Sequence, residues 1–478
     1  MASTERDSLL TMIRSGESMS LRQQLRLTAV LSWPAIIAQL STIVMQYIDA
    51  AMVGSLGAES SASIGLMATS TWLLWGLCSA VASGFSVQVA NRIGASDRKG
   101  AEAVLRQSFL PVVIFSVLLA LFGIGISGSL PLWLRGGEEI AADASSYFLV
   151  FCISLPVLQI SFLSGAMLRC SGNTLFPGIV NTGICVLDVI FNALLIFDGH
   201  DITLGSTVIH LPGAGLGVTG AAIGTALAEV VAAVVMLWYL WRRNKELNLR
   251  GGHGSFLPKR NCMNRAFRIS TPLGVEHMLM CGAQVFITAI VAPLGTVAIA
   301  ANAFAVTAES LCYMPGYGIS EAATTLVGQS LGAGREKLAR SFAKITVWSG
   351  ILVMTLMGVV MYVAAPLMMG IISPVAEICT LGTEVLRIEA FAEPMFAASI
   401  VAYGVFVGAG DTLVPAGMNL GSIWGVRIVL AAILAPTLGL RGVWIAMAIE
   451  LCFRGAIFLL RLRSDRWLRA NRALFASR

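Results

Sequence analysis

LSWPAIIAQLSTIVMQYIDAAMVGSLG, from Leu31 to Gly57, is the stretch that decides the fold. At ~1.5 Å per residue it is long enough to cross the ~30 Å core of a bilayer as a helix. It carries one charge, Asp49, well inside its apolar length. The same pattern returns 238 positions later as ISTPLGVEHMLMCGAQVFITAIVAPLG, from Ile269 to Gly295. Pro34 meets Pro272, Gln46 meets Gln284 and Leu56-Gly57 meets Leu294-Gly295, whereas Asp49 meets Ile287.

The register holds without a gap far beyond this segment. Gly94-Ala95 faces Gly332-Ala333, Lys99 faces Lys337, Pro156 faces Pro394, Gly172 faces Gly410, Thr174 faces Thr412, Pro177 faces Pro415 and Asn181 faces Asn419. Unrelated apolar stretches would not keep so many Gly, Pro and Asn matches in one register, so the chain is an internal duplication. The halves differ at Asp198 to Pro212, a Gly- and His-containing segment read as an external loop. Beyond it the offset falls to 222, aligning Gly220 with Gly442.

Composition points the same way. Of 478 residues, 56% are apolar and 12% charged, against roughly 25% charged in soluble domains. The chain reads as a polytopic membrane protein. Abundant Gly favours close helix packing, and the ~10-residue alternating strands of a barrel are missing. Twelve apolar segments of spanning length start near residues 27, 62, 105, 146, 178, 214, 266, 298, 344, 383, 415 and 438. The expected fold is therefore all-α, with twelve transmembrane helices as two six-helix lobes. An even number of spans per unit makes the repeat parallel, with a pseudo-two-fold axis along the membrane normal. The expected organisation is an N-terminal tail over 1–26, a first lobe over 27–241, a linker over 242–265, a second lobe over 266–461 and a C-terminal tail over 462–478.

With both termini placed in the cytoplasm, all Lys and Arg except Arg135, Arg387, Arg427, Arg441 and Arg454 fall in the tails, the linker or loops on that side. That bias sets the orientation and accounts for the net charge of +6 without a nucleic-acid partner. No cleavable signal is evident before the first span. The nine cysteines lie mostly inside apolar segments with no metal-ligand spacing, and read as buried, reduced packing residues. There is no HExxH, nucleophile elbow or P-loop, so neither an enzyme nor an ATP-driven pump is expected. A cleft between two repeats is where transporters of repeat architecture hold substrate.

LSWPAIIAQL, YIDAAMVGSLG, APLGTVAIAANAFAV, YMPGYGISEAATTLVGQSLGAG and GAGDTLVP resemble the multidrug and toxic compound extrusion (MATE) transporters, particularly their DinF-like branch. VGQSLGAG after the eighth span, with VANRIGAS after the second, is the most specific part. The resemblance implies a V-shaped bundle that exports small organic molecules in exchange for H⁺ or Na⁺, with no cofactor beyond that ion. A multi-pass protein of the plasma (bacterial inner) membrane, acting as a monomer, is expected. A dedicated exporter of one endogenous metabolite is the nearest alternative, and a flippase of lipid-linked oligosaccharides a more distant one.

Buried polar residues name the candidate sites. A carboxylate inside a span costs about 2.5 to 3.5 kcal/mol on insertion scales, so each one needs a reason to be there. Asp49 reads as a proton carrier or Na⁺ ligand, or else as an acid snorkelling to the outer interface; the resemblance matches it to the first-helix Asp of DinF-like members. Asp188, with Asn181 seven residues before and Asn192 four after, forms one helical face able to join it, or a plain interhelical hydrogen-bond stripe. The family pattern there is Asn-xxx-Asp, and here the acid and amide are exchanged. Glu276, beside His277, is a further coupling candidate. Glu309, Glu389 and Glu393, with Tyr47 and Met314, are expected to line a cleft suited to cations; pairing with Arg387 or Arg427 would instead make the acids structural. Glu450 and Arg454 are spaced for an ion pair. Pro34 and Pro272 are expected hinges, and Pro156 and Pro394 are expected at the heads of equivalent spans.

Overall fold

The structure is a computed structural model that describes residues 2–204, 207–244, 246–250 and 255–475, without the side chains of 2–4 and 200–212. Helix α1 (Ala2–Ser15) precedes α2 (Leu21–Gly54), and α3 (Ala58–Gly94), α4 (Arg98–Ile126), the short α5 (Leu130–Trp133), α6 (Glu138–Cys170) and α7 (Leu175–Ile196) follow. A hairpin of β1 (Asp198–Leu204) and β2 (Thr207–Ala214), paired antiparallel, leads into α8 (Gly217–Arg242). The second half holds α9 (Arg260–Val291), α10 (Thr296–Gly332), α11 (Glu336–Ile372), α12 (Ala376–Ala390), α13 (Glu393–Gly408), α14 (Leu413–Ser422), α15 (Ile428–Leu438), α16 (Leu440–Arg463) and α17 (Arg466–Phe475).

Among the described residues eleven segments are long and apolar enough to span a membrane, α14 and α15 counting as one; the pair α12 and α13, bent by 60°, makes a twelfth. All twelve expected spans are present. The helices outrun the apolar segments because polar turns continue them past the bilayer. Ser20 caps α2 in a reciprocal box with Gln23, about seven residues before the apolar run begins, and Asp97 caps α4 through the Gly100 amide. The segment expected as an external loop after α7 is a β-hairpin. Two further helices, α1 and α17, occupy what composition alone leaves as tails.

The prolines divide into two sorts. Pro34, Pro156 and Pro272 lie inside unbroken helices, so Pro156 does not head a span. Its repeat mate Pro394 stands in the first turn of α13, just after the 60° bend. A proline in a first turn forfeits no intrahelical bond, and at that bend the tenth span is two rods where the fourth is one.

Helix neighbours obey the duplication. In the first half α6 packs on α8, α3 on α6, α7 on α8 and α2 on α7; in the second α13 packs on α16, α10 on α13, α15 on α16 and α9 on α14. The halves meet through α2 on α10 and through the mate of that contact, α3 on α9. Three polar contacts across the lobes lie in the half of the bundle nearest the termini. Gln88 donates to the Cys262 carbonyl (3.1 Å), Gln329 to the Cys170 carbonyl (2.8 Å), and Arg169 pairs with Glu321 (3.4 Å).

The pseudo-symmetry is tightest where α3 and α10 end. A Cβ added to Gly94 would stand 1.9 Å from the Gln329 carbonyl oxygen, and one added to Gly332 would stand 2.0 Å from that of Asn91. Gly94 and Gly332 are repeat mates, as are Asn91 and Gln329. Only a residue without Cβ lets two backbones approach so closely. Gly94→Val is therefore expected to part these helix ends and to raise severalfold the labelling of a cysteine at Ala333 by a membrane-impermeant maleimide. Labelling as slow as in the parent would mean that the crossing tolerates a side chain.

Candidate functional site

Among the described residues, buried polar side chains gather inside the spans of both lobes. In the first lobe the Asn192 side-chain amide nitrogen donates to Asp49 Oδ1 (2.9 Å) and to Asp188 Oδ2 (3.0 Å). One NH₂ group thus satisfies two carboxylates from different helices, α2 and α7. Asp188 and Asn192 are wholly buried, and Asp188 Oδ1 and Asn192 Oδ1 have no hydrogen-bond partner. Gly224 on α8 makes the room: a Cβ there would sit 2.0 Å from Asn192 Oδ1. Two carboxylates and an amide oxygen, gathered with no positive side chain hydrogen-bonded to them among the described residues, suit a proton or a small monovalent cation. Tyr147 of α6 and Thr225 of α8 flank this group.

Asn181 stands apart. Seven residues are ~10 Å along a helix axis, beyond hydrogen-bond reach of Asp188 although on the same face. Its carbonyl accepts from Cys185, as a helix residue's does. A residue the sequence did not single out does interact with the group: Glu229 of α8 has Ser161 as its hydrogen-bonding neighbour and Asp188 as a neighbouring like charge. Its signal was present, as an acid in the middle of an apolar span, the criterion that picked out Asp49.

In the second lobe Glu276 on α9 is buried between α13 and α14. Tyr403 donates to its Oε2, and Asn419 donates to its Oε1 at 2.6 Å. Asn419 is the repeat mate of Asn181, so the same position serves an acid in one lobe and none in the other. His277 is in contact across the lobes: its Nε2 lies 3.1 Å from the Trp72 carbonyl oxygen, and its ring is 4.9 Å from that indole.

Glu309, Glu389 and Glu393 are all buried in the second lobe, the last two completely. All four carboxylate oxygens of Glu389 and Glu393 lack a hydrogen-bond partner. Arg387, a candidate to neutralise them, instead lies over the Tyr362 ring and donates to its carbonyl. Arg427, the other candidate, belongs to Glu450, which is 0% exposed and accepts from Arg427 Nε (3.0 Å), from Arg454 Nη2 (3.2 Å) and from the Ser422 hydroxyl. The expected ion pair of Glu450 with Arg454 is present as part of this larger group. A single π turn, Ile423–Arg427, links α14 to α15. Such a turn adds a residue to the local helical register and re-aims the side chains after it.

Aromatic and thioether side chains gather on α2, α10 and α13. Tyr47 of α2 faces Ser310 of α10, Tyr313 contacts Tyr317 and Phe396 with centroids 5.9 Å and 5.5 Å apart, and Met314 is half-buried beside them. A wall of this kind adapts to flat apolar or cationic guests.

Comparison with known proteins agrees with this architecture. The family model described as MatE matches twice, over residues 34–194 and 272–433, once in each half. A probable multidrug resistance protein NorM of Thermotoga maritima is 26% identical over 421 residues, covering 88% of each chain. The multidrug resistance protein MdtK of Yersinia pestis is 24% identical over 458 residues, covering 93% of this chain and 96% of that one. Among solved structures, the outward-facing conformation of a multidrug resistance MATE family transporter of the MOP superfamily superposes with a TM-score of 0.85 at 20% identity, covering 98% of this chain and 99% of that one.

Proposed function

The chain belongs to the MatE family of membrane transporters, and we propose that it exports small organic compounds, cationic or lipophilic, in exchange for H⁺ or Na⁺ by alternating access. It is a transporter and not an enzyme. The observation that carries the antiport reading is the Asn192 amide holding carboxylates from α2 and α7, with buried oxygens left over for an ion. Relatives whose names are multidrug resistance proteins support the cargo class. Asp49, Asp188 and Asn192 are the coupling residues in this reading, with Glu276 as a second acid site. The Asp on the first span also favours the DinF-like branch. We further propose that the chain sits in a bacterial inner membrane with both termini cytoplasmic, as the distribution of Lys and Arg favours.

Ion and cargo would communicate through Pro34. The proline leaves α2 one internal hydrogen bond short, and α7 packs directly on it: a Cβ on Gly178 would lie 2.9 Å from the Pro34 carbonyl oxygen. A proton or cation that draws α2 and α7 together at Asp49 would therefore bend α2 about that point. Pro34→Ala is expected to retain cargo binding and to slow ion-driven export severalfold; export at the parent rate would remove the hinge from the mechanism.

The test of the function is uptake of fluorescent organic cations into inverted vesicles, with a pH gradient and a Na⁺ gradient imposed separately. One gradient driving uptake supports antiport and names the ion. A folded protein that moves no cation under either gradient would overturn the multidrug reading and favour a dedicated exporter.

A further inference from the structure

The two helices outside the spans, α1 and α17, occupy matching positions on the duplicated framework although their sequences are not part of the duplication. Leu10 of α1 rests on Gly172 and Leu474 of α17 rests on Gly410; a Cβ at either glycine would lie 2.3 Å or 2.6 Å from the leucine side chain. Gly172 and Gly410 are repeat mates, and both have positive φ, 90° and 76°. The same glycine turn, used twice, thus seats a different helix in each lobe.

Each helix also reaches across to the other lobe. Leu9, Leu10 and Ile13 of α1 are buried in one apolar cluster with Leu27 and Leu31 of α2 and with Ala322, Leu326, Leu338 and Phe342 of α10 and α11. The polar contacts of α1 divide in the same way. Arg6 donates to Asn173 Oδ1 (3.2 Å) and Arg14 pairs with Glu246 (2.6 Å), both beyond the first lobe's spans. Arg335, in the turn between α10 and α11 of the second lobe, donates to the carbonyls of Met12 (2.7 Å), Ile13 (3.4 Å) and Glu17 (2.6 Å). The first two are carbonyls that a helix end leaves without internal partners, and the third lies just past that end. Leu474 and Phe475 of α17 share a cluster with Ile269, Leu273 and Val407 of their own lobe and with Ala80 and Val87 of α3 in the other. Arg472 holds α17 to Glu336 through two 2.6 Å bonds.

We propose that α1 and α17 are a matched pair of straps that hold the lobes together at the end bearing the termini, and that α1 must let go of one lobe before that end can open. Rocking separates Asn173 and Glu246 from Arg335, and a fourteen-residue helix bonded to both cannot follow both. The straps therefore bias the protein toward the state closed at that end. The inference rests on the alternating-access reading and adds a device that sets its resting state.

Spin labels at the exposed repeat mates Lys99 and Lys337, one in each lobe, would report the separation at this end, in a background with Cys185, Cys379 and Cys452 replaced. The full chain is expected to give a single short distance. Arg335→Ala, which frees α1 without touching the core, and deletion of residues 2–15 are each expected to add a longer-distance population, larger in the deletion. An unchanged distribution in both variants, with the H⁺ or Na⁺ response of the labels intact, would overturn the strap while leaving alternating access standing. Labels that no ion, cargo or variant moves would overturn both. Arg335→Lys is expected to restore part of the short distance, which a general loss of stability would not.

Discussion

Asp49→Asn is expected to cut ion-driven export at least about tenfold while the protein still folds and still binds cargo. Coupling between two sites in a transporter is carried by a free energy of ~1–3 kcal/mol, or ~5–150-fold, and it disappears if the ion no longer distinguishes the two states. Asparagine preserves the size of the side chain and can still accept from Asn192, so the contact between α2 and α7 survives. What is lost is the negative charge that a proton or cation would neutralise. The expected signature is a rate that no longer responds to the driving gradient, measured in inverted vesicles beside dye binding in detergent. Export at the parent rate under that gradient would remove Asp49 from coupling and pass the role to Glu276 or the Glu389–Glu393 pair.

The largest expected loss of stability is at Glu450. Its carboxylate is wholly buried between Arg427 and Arg454 and also accepts from Ser422. Glu450→Gln leaves two guanidinium groups inside the lobe without the carboxylate they share, and breaking a buried pair in this way costs about 3–5 kcal/mol. Thermal unfolding in detergent, followed by the fraction eluting as intact protein, is expected to shift down by several degrees. Replacing Glu450, Arg427 and Arg454 together by methionine is expected to recover most of that loss, because an apolar trio needs no compensation. If the single variant melts with the parent, the group is not what holds α14, α15 and α16 together.

How far the sequence led can be judged residue by residue. The duplication was legible because glycine, proline and asparagine mark backbone geometry, and the geometry repeats: Gly94 and Gly332 align in sequence and turn out to face each other's strands of backbone at one crossing. The grouping of Asp188 with Asn192 followed from helical periodicity, and their closure on Asp49 followed from each being too costly to bury alone. Periodicity misled over Asn181, since a shared face says nothing about distance along the axis. It also could not reveal that the tenth span bends between Glu389 and Glu393, because four residues apart means one face only on an unbroken helix. Partners drawn from distant spans, such as Tyr403 for Glu276, leave no local trace. The π turn that precedes Ile428 leaves none either. The terminal helices were missed because polar composition reads as a tail until something exists for its few leucines to pack on.

The crossing of α3 and α10 has a mechanical consequence. A helix of 37 residues is ~55 Å long, so a tilt of about 10° about Gly94 carries its far end through about 10 Å. The same tilt moves a residue three turns from the pivot by about 3 Å. The mouth remote from the termini is therefore a light door on a long arm, free to widen while the pivot stays shut. The near mouth is a door with no arm: it opens only by pulling backbone from backbone.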